Sequence, residues 1–277
     1  MATQTPTAVI PIAGKGTRLA PLTRTLPKAM FPLVAPDGSV RPVGDWIARE
    51  ALSAGCEKIC FVTSAGQDGL LRDYFAGEDD LAGRIEYVTD VPAYGFGYAV
   101  WSARGACDGG PAIVFLGDHI HVPAPGQATP ARQVATAFTA SDGVAAVGVQ
   151  VVDQTELHLV GACRGEPLGK NLYRCTDIHE KPAPAEAAKR LPTPGLPAGK
   201  YLAHAGIYAL GGEIFDCLDR LVSQRRDGAE VGLTEAQRML LARHEGRYLL
   251  RLIEGETYDT GTPRGYVRAQ QSLLSGG

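Results

Sequence analysis

Short apolar runs alternate with amphipathic stretches over the first 120 residues, and that alternation restricts the chain to an α/β architecture. Residues 7–13 (TAVIPIA) read as a strand followed by a Gly-rich turn, and residues 43–54 as a helix that Gly55 stops. Lys58–Thr63 reads as a second strand, 67–75 as a short helix, Arg84–Val88 as a third strand and 97–107 as a helix. Ala112–Leu116 (AIVFL) has the unbroken apolar character of a buried strand and stops at Gly117-Asp118. This rhythm predicts a parallel or mixed sheet covered on both faces. After about residue 140 the pattern becomes β-rich, with strands expected over Val144–Val152, 157–163, 171–179 and Leu202–Leu210. Pro182–Lys200, punctuated by five prolines, reads as a loop or a short helix between Pro-rich flanks. Helices near 211–225 and 233–245, a strand over 247–253 and a terminal helix from about 263 complete the chain. No internal repeat is present, so the expectation is one domain whose second half supplies a smaller sheet.

Composition narrows the function. With 277 residues, 45% of them hydrophobic and 21% charged, the chain can bury a sizeable core and is not a disordered protein. A formal charge of −3 gives no reason to expect a polyanion surface, which argues against a nucleic-acid partner. The six cysteines form no Cys-x-x-Cys pair and read as small buried thiols of a reducing compartment. The N-terminus lacks the basic and apolar regions of a secretory signal, and no apolar run approaches the ~18 residues of a membrane span. A cytoplasmic protein without a membrane partner is expected.

The segment Ala13-Gly14-Lys15-Gly16-Thr17-Arg18-Leu19 follows the first strand directly. Its glycines let backbone amides approach a phosphate, and Arg18 and Lys28 add cationic groups suited to a polyphosphate. A kinase-type P-loop would need glycine at position 9, where Val9 stands; a dinucleotide fingerprint would need glycine where Leu19 stands. A turn without a ligand is the remaining plain reading. Ala8-Val-Ile-Pro-Ile-Ala-Gly14-Lys-Gly16-Thr17-Arg18-Leu, followed by Pro27-Lys28-Ala-Met-Phe-Pro32-Leu, resembles the signature of the nucleotide-sugar pyrophosphorylases, bacterial UTP–glucose-1-phosphate uridylyltransferases above all.

Further blocks follow in that family's order along nearly the whole chain. The stretch from Asp90 to Gly95-Phe-Gly97-Tyr-Ala99 resembles the base-binding segment, with Asp90 where the family has glutamine. A glutamine amide complements the donor and acceptor of uracil or thymine, whereas a carboxylate only accepts and suits the N1–H and N2–H2 of guanine. A solvated Asp90, with the base held by main chain alone, is the other reading. Asp118, at the end of a hydrophobic strand, and Asp259, in Tyr258-Asp-Thr-Gly261, resemble the family's two Mg2+ aspartates. His119 and His121 flank Asp118 too sparsely for a zinc site and read as solvent-facing or supporting residues. Glu180-Lys181-Pro182 resembles the sugar-phosphate motif, and Gly206 in Ala205-Gly206-Ile207-Tyr208 the glycine that leaves room for the sugar, although many uridylyltransferases carry arginine where Ile207 stands. Leu233-Thr234-Glu235 resembles the family's Leu-Thr-Asp, and a helix N-cap explains it equally well.

The resemblance implies a Rossmann-like three-layer sandwich with a mixed, mostly parallel central sheet and a small additional β element. It implies a single nucleotidyltransferase domain, with residues 1–140 forming the nucleotide- and metal-binding half and 141–277 the sugar-binding half. The implied reaction joins a nucleoside triphosphate to a sugar 1-phosphate and releases pyrophosphate, with UTP and glucose 1-phosphate as the default pair. GTP or dTTP with a specialised sugar or cyclitol phosphate is the alternative. Gly14, Gly16, Thr17, Asp90 and Gly95 would bind the nucleotide, Arg18 and Lys28 would be catalytic, and Glu180, Lys181 and Gly206 would bind the sugar phosphate. Family members are often dimers or tetramers, so the resemblance leaves a homo-oligomer open. A non-catalytic relative should have lost some of Arg18, Lys28, Asp118, Lys181 and Asp259, all of which are present.

Overall fold

In the computed structural model, which describes residues 4–14 and 16–275, the chain folds around one twisted nine-stranded sheet. In chain order the elements are β1 (Thr7–Pro11), β2 (Pro32–Val34), β3 (Val40–Pro42), α1 (Val43–Ser53), β4 (Ile59–Val62), α2 (Gly69–Ala76) and β5 (Ile85–Val88). Next come α3 (Phe96–Ser102), β6 (Ala112–Phe115), β7 (His119–Pro123), α4 (Pro130–Ala140), β8 (Ala145–Asp153), β9 (Gly161–Gly169) and β10 (Leu172–Glu180). The chain closes with α5 (Pro184–Arg190), β11 (Lys200–Leu210), α6 (Glu213–Ser223), α7 (Leu233–Arg243), β12 (Tyr248–Leu252), β13 (Gly255–Asp259) and α8 (Pro263–Ser275).

The sheet order is β5-β4-β1-β6-β11-β8-β12-β10-β9. The first four strands are mutually parallel, and β4 and β6 are apolar throughout and fully buried, as suits strands covered on both faces. Seven of the nine strands run one way, and only β11 and β10 oppose them. One core cluster packs α1, α2, α4 and α8 on one face through residues such as Ile47, Phe75, Val134 and Leu273. A second packs α3, α6 and α7 on the other through Val100, Leu218 and Leu240. The result is a three-layer sandwich with two small antiparallel ribbons, β2–β3 and β7–β13, at its margin.

β11 is where the two halves of the sheet meet. Along one edge it pairs with β6 through Ile207–Leu210 and with β9 through Leu202–Ala203. Between these partners, among the described residues, the edge is free of strand pairing. There the strand bulges: between the pairs His204–Val149 and Tyr208–Val147, three residues of β11 (Ala205, Gly206 and Ile207) stand against one of β8 (Gly148). Gly206 lies inside this bulge with φ +89°, a conformation that a side chain would strain.

Most expected elements are present, and one is corrected. The strand expected over 157–163 is split: Gln154–Leu159 is a 3-10 turn and β9 starts at Gly161. The cause is a capping box, in which Asp153 accepts from the Thr155 amide and Glu156 reaches back to the Asp153 amide, starting a helical turn. The Pro-rich stretch does hold a short helix, α5. The sequence pattern had not marked α4 or the ribbons β2–β3 and β7–β13. All six cysteines are buried and unpaired. Among the described residues, no helix is long and apolar enough to cross a membrane.

Candidate functional site

The loops after the parallel strands β1, β4, β5 and β6 all leave the carboxyl edge of the sheet, the edge at which open α/β sheets bind ligands. β1 and β6 are neighbours, so the Gly-rich loop and the Leu116-Gly117-Asp118 turn lie side by side. Gly117 sits against the Pro11 carbonyl with no space for a side chain, which explains the glycine before the aspartate.

Asp118 and Asp259 are 141 positions apart in sequence, and the β7–β13 ribbon joins them. In its register Asp259 stands opposite His119. The Asp118 carbonyl accepts both the Thr260 amide and the Thr260 hydroxyl at 2.8 Å, which locks the two segments together. Candidate ligand atoms of Asp118, His119 and Asp259 lie within 4.8 Å of one another. Gly261 completes the enclosure, because a Cβ there would stand 2.6 Å from Asp118 Oδ2 and 2.9 Å from Asp259 Oδ1. Two carboxylates facing a cradle kept open by a glycine form a hard oxygen donor set that suits a divalent cation such as Mg2+.

Each aspartate has a cation from the first 28 residues. Lys28 Nζ lies 2.5 Å from Asp118 Oδ2, and Arg18 Nη1 lies 3.0 Å from Asp259 Oδ2. Burial alone would raise the Asp118 carboxyl, but the bonds and charges of His119 and Lys28 outweigh it and hold the group well below the usual carboxylate range. It is therefore ionised at neutral pH. The Arg18–Asp259 pair is more open to water, with the arginine side chain 57% exposed, so it adds little to stability and is free to exchange partners. Gly14 borders the Lys28 ammonium, with its Cβ position 3.5 Å from Nζ. Gly16 closes a turn in which the Thr23 hydroxyl donates to its carbonyl at 2.9 Å, and Thr17 starts the exposed 3-10 turn that carries Arg18. Lys15, in the same loop, lies outside the described residues.

The remaining candidates form two further groups. Glu180 ends β10 opposite Gly161 at the start of β9 and Lys181 follows it, so both border the same free edge of β11 as Gly206. Gly206 itself packs on Leu116 and His119, next to Asp118, and its carbonyl accepts the Leu116 amide at 3.0 Å. Thr234 Oγ1 donates to Glu180 Oε2 at 2.6 Å. No side chain caps α7, so the N-cap reading of Leu233-Thr234-Glu235 gives way to a link with Glu180. Lys181 is held at φ +43°, an uncommon conformation for a long side chain, with its amide donating to the Val160 carbonyl.

On the far side, Gly95 has φ +103° and runs against Val231, whose backbone oxygen would lie 2.6 Å from a Cβ. The Val231 amide donates to the Tyr94 carbonyl and the Gly97 amide to the Val231 carbonyl, so the approach to α7 supports this loop from behind. Asp90 is exposed, and among the described residues its carboxylate bonds only its neighbour Thr89. The histidines also differ from one another. His119 bonds Asp118 through Nδ1 at 3.1 Å, whereas His121 is buried rather than solvent-facing and bonds Glu50 and the Ala205 carbonyl. Thr260 and Glu50 were not singled out from the sequence, because only the fold reveals what they touch.

Comparison with known proteins identifies the family. The nucleotidyl transferase family matches residues 7–276. A relative from Staphylococcus saprophyticus, UTP–glucose-1-phosphate uridylyltransferase 1, is 31% identical over 94% of this chain and 90% of its own length. A UTP–glucose-1-phosphate uridylyltransferase from Staphylococcus epidermidis is 29% identical over 94% of this chain and 89% of its own. Among solved structures, a UDP-glucose pyrophosphorylase in complex with UDP-glucose superposes with a TM-score of 0.81 at 26% identity, covering 98% of this chain and 99% of that one. The chain belongs to the nucleotidyl transferase family.

Proposed function

We propose that this chain is a sugar-1-phosphate nucleotidyltransferase that takes UTP and glucose 1-phosphate to UDP-glucose and pyrophosphate. The observation that carries the proposal is the cluster of Arg18, Lys28, Asp118 and Asp259 at the carboxyl edge of the sheet, beside the free edge of β11. The substrates named for the relatives supply the default pair.

In this reading an oxygen of the sugar phosphate attacks the α-phosphorus in line, forming the new P–O bond as the bond to the bridging oxygen of the leaving pyrophosphate breaks. The attacking group is already an anion near neutral pH and needs no general base. Catalysis therefore consists of alignment and charge stabilisation. Asp118 and Asp259 would hold Mg2+, which when bound neutralises charge on the reacting phosphates. Arg18 and Lys28 would turn from their carboxylates to triphosphate oxygens. Gly14, Gly16 and Thr17 would leave backbone room for the phosphates. Gly95 would present main chain to the base edge beside Asp90. Glu180, steadied by Thr234, would accept from sugar hydroxyls, Lys181 would hold the attacking phosphate, and Gly206 would leave space for the ring.

The test is pyrophosphate release with each of five nucleoside triphosphates against several sugar 1-phosphates in the presence of Mg2+. UTP with glucose 1-phosphate is expected to be the best pair, and Asp118→Ala to abolish turnover while the protein stays folded. Release with no pair, or full activity of Asp118→Ala, overturns the proposal. A clear preference for GTP would instead assign base choice to the Asp90 carboxylate.

A further inference from the structure

His121 is one of the most deeply buried polar groups in the molecule, its side chain 1% exposed, and it lies three residues beyond Asp118 on β7. Its Nδ1 is 2.9 Å from Glu50 Oε2 on α1, and its Nε2 is 2.7 Å from the Ala205 carbonyl on β11. Carboxylate and carbonyl oxygens only accept hydrogen bonds, so both ring nitrogens must donate, which a neutral imidazole cannot do. Burial opposes the charged ring, yet the Glu50 charge outweighs it and the His121 pKa is raised. Among the described residues, Glu50 is the one charged side chain that bonds the ring. α4 contributes the Ala131 amide to the other Glu50 oxygen at 3.1 Å, and β13 places the uncharged Thr257 opposite.

The Ala205 carbonyl has left the strand ladder because the β11 bulge turns it away, and a buried carbonyl without a partner is costly. We propose that His121 is a positioning residue: as an imidazolium anchored by Glu50, it holds the Ala205 carbonyl and thereby sets the Gly206 bulge on the sugar-phosphate side of the site. The bulge is then fixed at two successive carbonyls, Ala205 by His121 and Gly206 by the Leu116 amide two residues before Asp118. This inference rests on the proposed function for the assignment of that side.

Two conservative variants separate positioning from mere packing. The amide nitrogen of His121→Gln falls near the place of Nε2 and can still donate to Ala205. That of His121→Asn falls near Nδ1 and can serve only Glu50. Initial rates with glucose 1-phosphate and UTP should show about a tenfold rise in KM for glucose 1-phosphate in His121→Asn, and about a twofold change in His121→Gln. KM for UTP should be unchanged in both. Nitrogen-detected NMR of the wild-type ring should show two ring N–H groups at pH 7.5. Equal effects of the two variants, an unaffected His121→Asn, or a neutral ring would each overturn the proposal. A wild type without turnover on any substrate pair would overturn the function instead, and the ring spectrum would still decide the imidazolium.

Discussion

Replacing Gly261 by alanine should disable the site while leaving the fold almost untouched. The added Cβ would stand 2.6 Å from Asp118 Oδ2, 2.9 Å from Asp259 Oδ1 and 3.1 Å from Arg18 Nη2. To reach the 3.4 Å at which ordinary contact begins, the two carboxylate oxygens must retreat by roughly 0.8 and 0.5 Å. All three crowded atoms end side chains that can swing aside. The Gly261 amide keeps its 2.8 Å bond to Asp259, and the backbone at this position is not left-handed. The stability cost should therefore stay under about 1 kcal/mol, a fall in Tm of roughly 2–4 °C for a domain of this size. A misplacement of about 1 Å in catalytic groups can cost about 100-fold in rate, so these shifts predict a loss of about 10- to 100-fold. Pyrophosphate release measured across a range of Mg2+ concentrations should show both the lower rate and a higher metal requirement. A Gly261→Ala enzyme with wild-type turnover and metal dependence would refute the assignment of the cradle.

Gly95→Ala meets backbone instead of movable side-chain ends, so it should lower stability by roughly 2–4 kcal/mol and raise KM for the nucleotide, read by thermal unfolding and initial rates. Thr234→Val removes the donor to Glu180 without changing shape; KM for the sugar phosphate should rise about tenfold with KM for the nucleotide unchanged, and Thr234→Ser should restore it. Burial lowers the His204 pKa from 6.5 to about 4, so between these values the unfolded chain binds a proton that the folded one excludes. His204 therefore costs no stability above pH 6.5. As pH falls from 6.5 towards 4 it removes about 3 kcal/mol, at about 1.4 kcal/mol per pH unit. Urea midpoints at pH 7, 6 and 5 should show this slope in the wild type and a flatter one in His204→Asn; identical slopes would reject it.

The parallel half of the fold was legible because its strands advertise themselves. TAVIPIA and AIVFL are too apolar and too short for anything but strands buried on both faces, and each ends in a loop rich in glycine or acid. α4 was not legible, since its sequence PARQVATAFTA mixes small and β-branched residues without a strong helical stripe. The ribbons were missed for a different reason. β7 is a five-residue run, and its meaning depends on β13, far away in the chain. Sequence blocks supplied Arg18, Lys28, Asp118, Glu180, Lys181 and Asp259 individually. What brings the aspartates together is the ribbon register and the two Thr260 bonds, which no local pattern encodes.

The free edge of β11 explains why the candidate residues fall into two groups joined by one segment. β6 ends where Arg18, Lys28, Asp118 and Asp259 gather, and β9 begins where Glu180 and Lys181 stand, with the Gly206 bulge between them. The approach to α7 then spans the remaining distance, because Val231 supports Gly95 and Gly97 while Thr234, three residues later, bonds Glu180. A displacement of the Gly95 loop would have to move Val231, and through the short, rigid start of a helix it would shift the hydroxyl that orients Glu180. If the Gly95 loop takes the base and Glu180 the sugar, as proposed, base and sugar recognition are joined mechanically through Val231, whereas Asp90 is exposed and among the described residues its carboxylate bonds only Thr89. On this geometry a change at Asp90 should alter which base is taken without altering the sugar, whereas a change at Val231 should disturb both.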